Sequence, residues 1–191
     1  MFSPSISARM LLGLSSAGTC AAAGFALHTN SATQAATQSQ KDSGQYDHLM
    51  GTWIRDKHAS DSYENAMTVM QINPLLKTAM RQLKGIKLEV KDEEVVLTLL
   101  SRFSWFRLQE RYPWSGQAVQ IRRRDFRRGK AQGNLIQESD ALWIEQQWDH
   151  PVAGHGSECA WSPEPGTLYI DSTIKVKDDV AQYRQVYREH A

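Results

Sequence analysis

From residue 86 to the C-terminus, the chain consists of short segments in which apolar and polar residues alternate. Ile86, Leu88 and Val90 alternate with polar or charged neighbours, which is the period of a β-strand with one buried face. Gly, Pro, Asp or Asn residues separate the segments that follow. Together with 51–56, the predicted strands are 86–90, 95–100, 103–112, 118–124, 132–137, 142–148, 158–161, 167–176 and 181–188. Connections of hairpin length between them predict about ten antiparallel strands in one meander.

The meander is interrupted once, by two segments with the period of short helices. The first follows Asp61 or Ser62 as its N-cap, and the second begins at Asn73-Pro74 and is expected to end at Gly85. The apolar stripes are Tyr63, Ala66, Met67 and Met70, then Leu75, Leu76, Ala79, Met80 and Leu83. The sequence therefore predicts an all-β fold. We expect a ten-stranded antiparallel up-and-down β-barrel, or clam, with a two-helix lid between strands 1 and 2. Such barrels usually enclose one small ligand.

Residues 1–44 differ in composition from the rest of the chain. Their Lys and Arg residues are Arg9 and Lys41, no acidic residue precedes Asp42, and Ser, Thr, Ala and Gln dominate. This pattern predicts a targeting peptide or disordered leader, of the transit type that directs a protein to a plastid or mitochondrion. A secretory signal, with Arg9 before the apolar stretch 10–27, is the alternative. Residues 45–191 are expected to form one domain, which we expect to act as a monomer.

Charge and motif content exclude several classes of function. The 22 Lys and Arg residues balance the 21 Asp and Glu residues, so no overall field favours nucleic acid. No phosphate-binding loop or dinucleotide fingerprint occurs, and two neighbouring histidines, His150 and His155, are too few for a metal site. Cys20 lies in the leader, and Cys159 is interpreted as a small buried residue rather than a nucleophile. We therefore expect no cofactor, no metal and no catalytic residue.

Several segments resemble the intracellular lipid-binding protein family, which includes fatty-acid-binding and cellular retinoid-binding proteins. Leu49-Met50-Gly51-Thr52-Trp53 resembles the family's Phe-x-Gly-x-Trp start, and Gln147-Trp148-Asp149 resembles its Gln-Lys-Trp-Asp-Gly stretch. The last strand, Tyr183-Arg184-Gln185-Val186-Tyr187-Arg188, resembles Cys-Lys/Arg-Gln-Val-Phe-Lys of the retinol-binding branch. The resemblance covers about 46–189 and implies binding and intracellular transport of a long hydrophobic ligand, a fatty acid or a retinoid-like or isoprenoid-like molecule, without catalysis.

The resemblance also implies where the ligand would lie. Gln185 and Tyr187 occupy the positions at which fatty-acid-binding members hold a carboxylate with Arg and Tyr. A neutral pair suits an alcohol, an aldehyde or a protonated acid better than a carboxylate. A register slip of one residue would instead turn Arg184 inward. Near 158–161, the chain supplies neither the Arg nor the Gln of the family. The remaining ligand-binding candidates are Tyr183, Tyr63, Met67, Leu76, Met80, Trp105 near the portal, and Trp148.

The run from Arg122 to Lys130 contains six basic residues and one acid. A solvated hairpin is the simplest interpretation, and transient contact with an anionic membrane is the alternative. Two further functions also stay open. One is a lipocalin-like barrel enzyme or a haem- or cofactor-binding barrel, which would need convergent polar groups in the cavity. The other is an interaction module with a solid barrel, whose basic hairpin docks on an acidic partner.

Overall fold

The computed structural model describes residues 43–103, 106 and 108–190. The 3₁₀ helix Ser43–Leu49 precedes β1, Gly51–Arg55, and two α-helices follow, α1 at Glu64–Val69 and α2 at Pro74–Arg81. The other strands are β2 Leu83–Lys91, β3 Glu94–Ser101, β4 Leu108–Pro113, β5 Val119–Arg122, β6 Lys130–Glu138, β7 Ala141–Trp148, β8 Gly154–Glu164, β9 Thr167–Val176 and β10 Asp179–Glu189.

All ten strands belong to one antiparallel sheet in which chain neighbours are also neighbours in space. The order is β4-β3-β2-β1-β10-β9-β8-β7-β6-β5, and β1 joins the two halves by pairing with both β2 and β10. The sheet curls into a nearly closed barrel with its two edges, β4 and β5, facing each other. The predicted ten-stranded up-and-down barrel, with two helices between strands 1 and 2, is confirmed.

The lower end of the barrel is closed by the 3₁₀ helix, which the sequence did not lead us to expect. Tyr46 and Leu49 are fully buried, and the carbonyl of Leu49 accepts the indole N–H of Trp53 at 3.0 Å. Trp53 faces the core while Ile54 faces outward, as the strand period predicts. The Gly-x-Trp start therefore seats an aromatic ring in the barrel and ties it to the segment before it.

The second helix ends earlier than predicted. Asn73 accepts the backbone N–H of Leu76 at 2.9 Å and caps the helix as expected, but the helix stops at Arg81, and Leu83 already belongs to β2. Gly85 is thus a strand residue and not a helix terminator. It lies opposite Ile54 on β1, where an added Cβ would overlap the Trp53 carbonyl oxygen. Close approach of the two strands, rather than helix termination, requires glycine here.

Two predictions concern residues that lie largely or wholly outside the part of the chain that the structure describes. Nearly all of the predicted targeting peptide, 1–44, and the portal candidate Trp105 lie outside the described residues. Among the residues that are described, no helix is both long and apolar enough to cross a bilayer.

Candidate functional site

A cavity lies inside the barrel beneath the two helices. Its volume is about 130 Å³. That is close to the volume of an engineered cavity of about 150 Å³ that binds benzene in another protein. Its walls are mainly apolar side chains from the lid and from several strands, including Met67, Met70, Met80, Ile86, Leu97 and Ile144. The barrel is therefore hollow, with an interior that favours apolar molecules.

Seven of the nine predicted ligand-binding residues line this cavity. They are Tyr63, Met67 and Met80 from the lid region, and Trp148, Tyr183, Gln185 and Tyr187 from the strands. Leu76 does not line it. Leu76 is buried in a separate cluster with Met67, Ile72, Ala79 and Phe106, which packs the lid helices together.

The register of β10 places Gln185 inside and Arg184 outside. Gln185 is 5% exposed, and its amide nitrogen donates to the carbonyl of Asp61 at 2.8 Å. Arg184 forms two hydrogen bonds with Asp171 at 2.6 and 3.0 Å, and its guanidinium lies 5.0 Å from the ring centre of Tyr169. The side-chain nitrogen of Gln185 thus fastens the loop before α1 to the last strand.

Trp148 forms one wall of the cavity next to a pair of glycines. A Cβ at Gly154 would lie 2.7 Å from Cζ2 of Trp148, and one at Gly156 would lie 3.4 Å from Cζ3. The indole therefore occupies the place of a side chain at Gly154, whereas at Gly156 a Cβ would make only an ordinary van der Waals contact.

Three tyrosines bring hydroxyl groups to the cavity. Tyr63 donates to the carbonyl of Met80 at 2.8 Å and accepts from Arg55 Nη1 at 3.0 Å. Burial, and then the negative charge of Glu158, raise the pKa of Tyr183 to about 12. The same two causes raise the pKa of Tyr187. These phenols are therefore protonated at neutral pH, and each can donate or accept a hydrogen bond.

A charged cluster that we did not predict borders the cavity. Arg124, in the turn after β5, donates from Nε and Nη2 to both oxygens of Glu110 at 2.8 and 2.7 Å, and from Nη1 to Glu158. Burial opposes the charge of Arg124, but the two carboxylates outweigh it, so the pKa of the guanidinium is well above its ordinary value. The Arg124–Glu110 pair joins the facing edges of β4 and β5.

The neighbours of Glu110 complete its hydrogen bonding. Tyr112 donates its O–H to Glu110 Oε2 at 2.9 Å, and Gln146 donates to Tyr112 and to the same Glu110 oxygen at 2.8 and 3.3 Å. The side chain of Glu110 is fully buried. The pair is thus satisfied on all sides, as a buried ion pair must be to avoid a large desolvation cost.

The interpretation of Arg122–Lys130 as a solvated hairpin is wrong for half of its basic residues. Arg123 is 2% exposed, forms a two-point ion pair with Asp125, and donates to the carbonyls of Asp149, His150 and Val152. Arg124 faces the cavity, and Arg127 donates to the carbonyl of Gln71. The basic residues of the run that stay exposed are Arg122, Arg128 and Lys130.

The other chemical candidates do not converge on the cavity. Cys159 is buried in β8 and is not among the cavity-lining residues. Within the part of the chain that the structure describes, no three His, Cys, Asp or Glu side chains are grouped so that they could hold a metal ion.

A ten-stranded antiparallel barrel with a two-helix lid over an apolar cavity is a known class of fold, and solved structures with this fold are similar to this chain. Lipid binding protein 8 of Caenorhabditis elegans, in its apo form, is 12% identical with a TM-score of 0.61, over 75% of this chain and 96% of that chain. A fatty acid binding protein of Schistosoma mansoni in complex with arachidonic acid is 13% identical with a TM-score of 0.61, over 78% of this chain and 100% of that chain.

A third similar structure is an ileal bile acid-binding protein of zebrafish complexed with cholic acid. It is 14% identical with a TM-score of 0.54, over 75% of this chain and 99% of that chain. No protein-family model and no curated protein sequence matches the chain. The resemblance to the intracellular lipid-binding proteins is confirmed as a shared fold. At this level of identity, the likeness concerns the fold and not the ligand.

Proposed function

We propose that this protein binds one long hydrophobic molecule in the barrel cavity and carries it without chemical change. The observation that carries the proposal is the hollow, mainly apolar interior under a helical lid, with a limited set of polar side chains among its walls. The solved structures with this fold support it, because their names describe proteins that bind lipids, fatty acids or bile acids. A fatty acid or a retinoid-like or isoprenoid-like molecule is the ligand that the family resemblance implies.

The energy of binding comes from the apolar part of the ligand. Burial of a methylene group contributes about 0.8 kcal/mol, so about twelve buried methylenes contribute on the order of 10 kcal/mol before ordering costs. A chain of that length needs more room than about 130 Å³. We expect the methionines of the lid, Met67, Met70 and Met80, to provide it, because an unbranched thioether side chain changes rotamer at little cost.

Loading from a membrane is part of the proposal. Leu75 of α2 is 71% exposed, and Arg81 of the same helix is exposed too. Arg122, Arg128 and Lys130 are the basic residues that the β5–β6 hairpin leaves for anionic lipid, at about 1 kcal/mol each near the membrane surface. We further propose a monomer in a plastid or mitochondrion, reached through the leader, with secretion as the alternative route.

The first experiment is native mass spectrometry of the purified full-length chain, followed by extraction of whatever lipid co-purifies. We expect one hydrophobic molecule per chain. Ile144→Trp would fill the cavity and abolish binding of a fluorescent lipid probe, whereas Ile136→Trp, on the outer face of β6, would leave binding unchanged. An empty protein that also fails to bind the probe would contradict the carrier function.

A further inference from the structure

One charged group at the cavity, formed by Arg124, Glu110 and Glu158, contains more negative than positive charge. Arg124 is shared between two carboxylates, Glu110 and Glu158, so the three side chains together carry a net charge of −1 when ionised. The neighbouring Arg123 is neutralised by Asp125 and held by three carbonyls, so it adds no free charge. A net negative charge inside a barrel is costly unless a cation compensates it.

The nearest further cation, Arg55, lies at the lid side of the cavity and is engaged there. Its guanidinium donates to Tyr63 Oη at 3.0 Å and to the Asp61 carbonyl at 3.3 Å, and it stacks 4.4 Å from the Tyr63 ring centre. Arg55 has no acidic partner among the described residues, and its buried Nε has no hydrogen-bond partner there, so its charge offsets the −1 of the Arg124 group over the cavity as a whole. None of its hydrogen bonds reaches Glu158, so the Arg124 group keeps a local excess of negative charge.

Glu158 has an oxygen available for a ligand. Its Oε1 accepts from Arg124, while among the described residues no hydrogen bond is formed to its Oε2. The side chain is 20% exposed and lines the cavity. The ion pair therefore uses one oxygen of this carboxylate, Oε1, and leaves Oε2 available at the cavity.

Two hydroxyl groups lie beside Glu158 in the same row of the sheet. Ser172 on β9 is paired in register with both Glu158 on β8 and Tyr183 on β10, and all three line the cavity. Side chains that are directly opposite on neighbouring strands have Cβ atoms about 5 Å apart. Three acceptor groups, a carboxylate oxygen and two hydroxyl oxygens, thus face the same space. A primary ammonium has three N–H donors and one positive charge.

We infer that this row holds the head group of a long-chain primary amine, with its ammonium on Glu158 Oε2 and its alkyl chain along the apolar wall. The inference rests on the proposed carrier function and names the ligand class. A carboxylate would add a third negative charge next to Glu110 and Glu158. A hydroxyl would use the hydrogen bonds of the row but leave its charge uncompensated.

The test is isothermal titration of the full-length chain with dodecylamine, dodecanol, dodecanoate and dodecyltrimethylammonium at neutral pH. We expect dodecylamine to bind at least about tenfold more tightly than dodecanoate, since an ion pair in a buried site has a large effect on affinity. Dodecyltrimethylammonium, which has the charge but no N–H donor, is expected to bind more weakly than dodecylamine. Dodecanol is expected to lie between the amine and the acid.

Glu158→Gln is the matching variant. We expect it to weaken dodecylamine binding by about tenfold or more and to strengthen dodecanoate binding, because the net charge of the cluster becomes zero. Glu138→Gln, an exposed carboxylate on the outer face of β6, serves as the control and should change neither affinity.

Each outcome separates the inference from the carrier function. Dodecanoate or dodecanol as the tightest ligand would overturn the amine inference and leave the carrier function in place. Binding of none of the four would overturn both. If Glu158→Gln fails to fold, the ligand series on the unaltered chain still decides, because the order of affinities alone tests the preference.

Discussion

A single arginine side chain explains how the barrel holds charge in its interior. Arg124 reaches from the turn after β5 to Glu110 on β4 and Glu158 on β8, and so connects three separate parts of the sheet. Such a cluster gives little net stability compared with a well-packed apolar one, but the loss of one member leaves the others buried without a partner. Arg124 thus neutralises the buried carboxylate of Glu110 and also lies next to the proposed ligand.

Replacement of Arg124 is expected to destabilise the fold. In Arg124→Met, Glu110 would stay fully buried with no cation, which typically costs about 3–5 kcal/mol. The free energy of unfolding from urea titration, followed by far-ultraviolet circular dichroism, measures the effect. Arg128→Met, at an exposed position of the same hairpin, is the control and should change stability by less than about 0.5 kcal/mol. Equal effects of the two substitutions would show that the ion pair does not stabilise the barrel.

At single residues, the strand period predicted orientation well and chemistry poorly. It put Gln185 and Arg184 on opposite faces of the strand, while the family resemblance favoured Gln185 inside and a one-residue slip stayed open. It also held a signal that we did not use: Glu110 lies between Leu108 and Tyr112 at the inward-facing positions of β4. An acid at such a position requires a buried partner. Arg124 itself lies in a turn, where no period indicates the direction of a side chain.

The lid is held to the barrel by contacts between the connection of its two helices and the β5–β6 hairpin. Arg127 Nη2 donates to the carbonyl of Gln71, which lies between α1 and α2. The ring of Phe126 stacks on that of Phe106 with centres 5.0 Å apart, and Phe106 is buried under α2. Opening of the lid on this side would therefore break the charge-assisted Arg127–Gln71 hydrogen bond and uncover the Phe106–Phe126 pair.

Loss of the Arg127 contact is expected to speed ligand release. A hydrogen bond from a charged donor contributes about 1.5–3 kcal/mol, so Arg127→Ala should raise the dissociation rate of a bound fluorescent lipid by about fivefold or more. Stopped-flow transfer of the probe to vesicles measures that rate. Arg128→Ala removes an equal charge from the exposed neighbour and serves as the control. If both variants release the probe at the same rate, the Arg127–Gln71 contact does not limit lid opening.

At the scale of elements, the sequence predicted strands better than helix ends. The segment 167–176 was predicted with the bounds it has in the structure, because Pro165-Gly166 before it and Asp178 after it are turn residues. The end of α2 was misplaced because Gly85 is a usual helix terminator and the chain alone does not reveal the close approach of Trp53. The 3₁₀ helix was missed since seven residues carry too short a pattern.

The barrel is nearly closed, and its seam and two open ends are each covered by a different structural element or contact. The seam between β4 and β5 is joined by the Arg124–Glu110 pair, the upper opening by the two-helix lid, and the lower opening by the 3₁₀ helix. The numbers of acidic and basic residues are almost equal over the chain, 21 against 22. Selectivity for a ligand must therefore come from the charges inside the barrel rather than from the overall field of the protein.

The lower closure sets a limit on where a leader can be removed. Tyr46 and Leu49 are fully buried, Tyr46 packs edge-on against Trp114 with ring centres 5.6 Å apart, and Leu49 accepts the Trp53 indole N–H. Loss of a single buried leucine side chain commonly costs about 2–5 kcal/mol. Removal of 43–50 would lose two large buried side chains at once and expose the core cluster that they cover to water.

We therefore expect a chain that begins at Ser43 to unfold at the same temperature as the full-length protein, and a chain that begins at Gly51 to unfold at a markedly lower one. The expected loss is at least about 4 kcal/mol in the free energy of unfolding, from two buried side chains. Thermal and urea unfolding of the three chains, each freed of lipid, measures the difference. A chain from Gly51 as stable as the others would mean that the 3₁₀ helix does not close the barrel. Removal of a leader at the predicted boundary, residue 44, would leave Tyr46 and Leu49 in place.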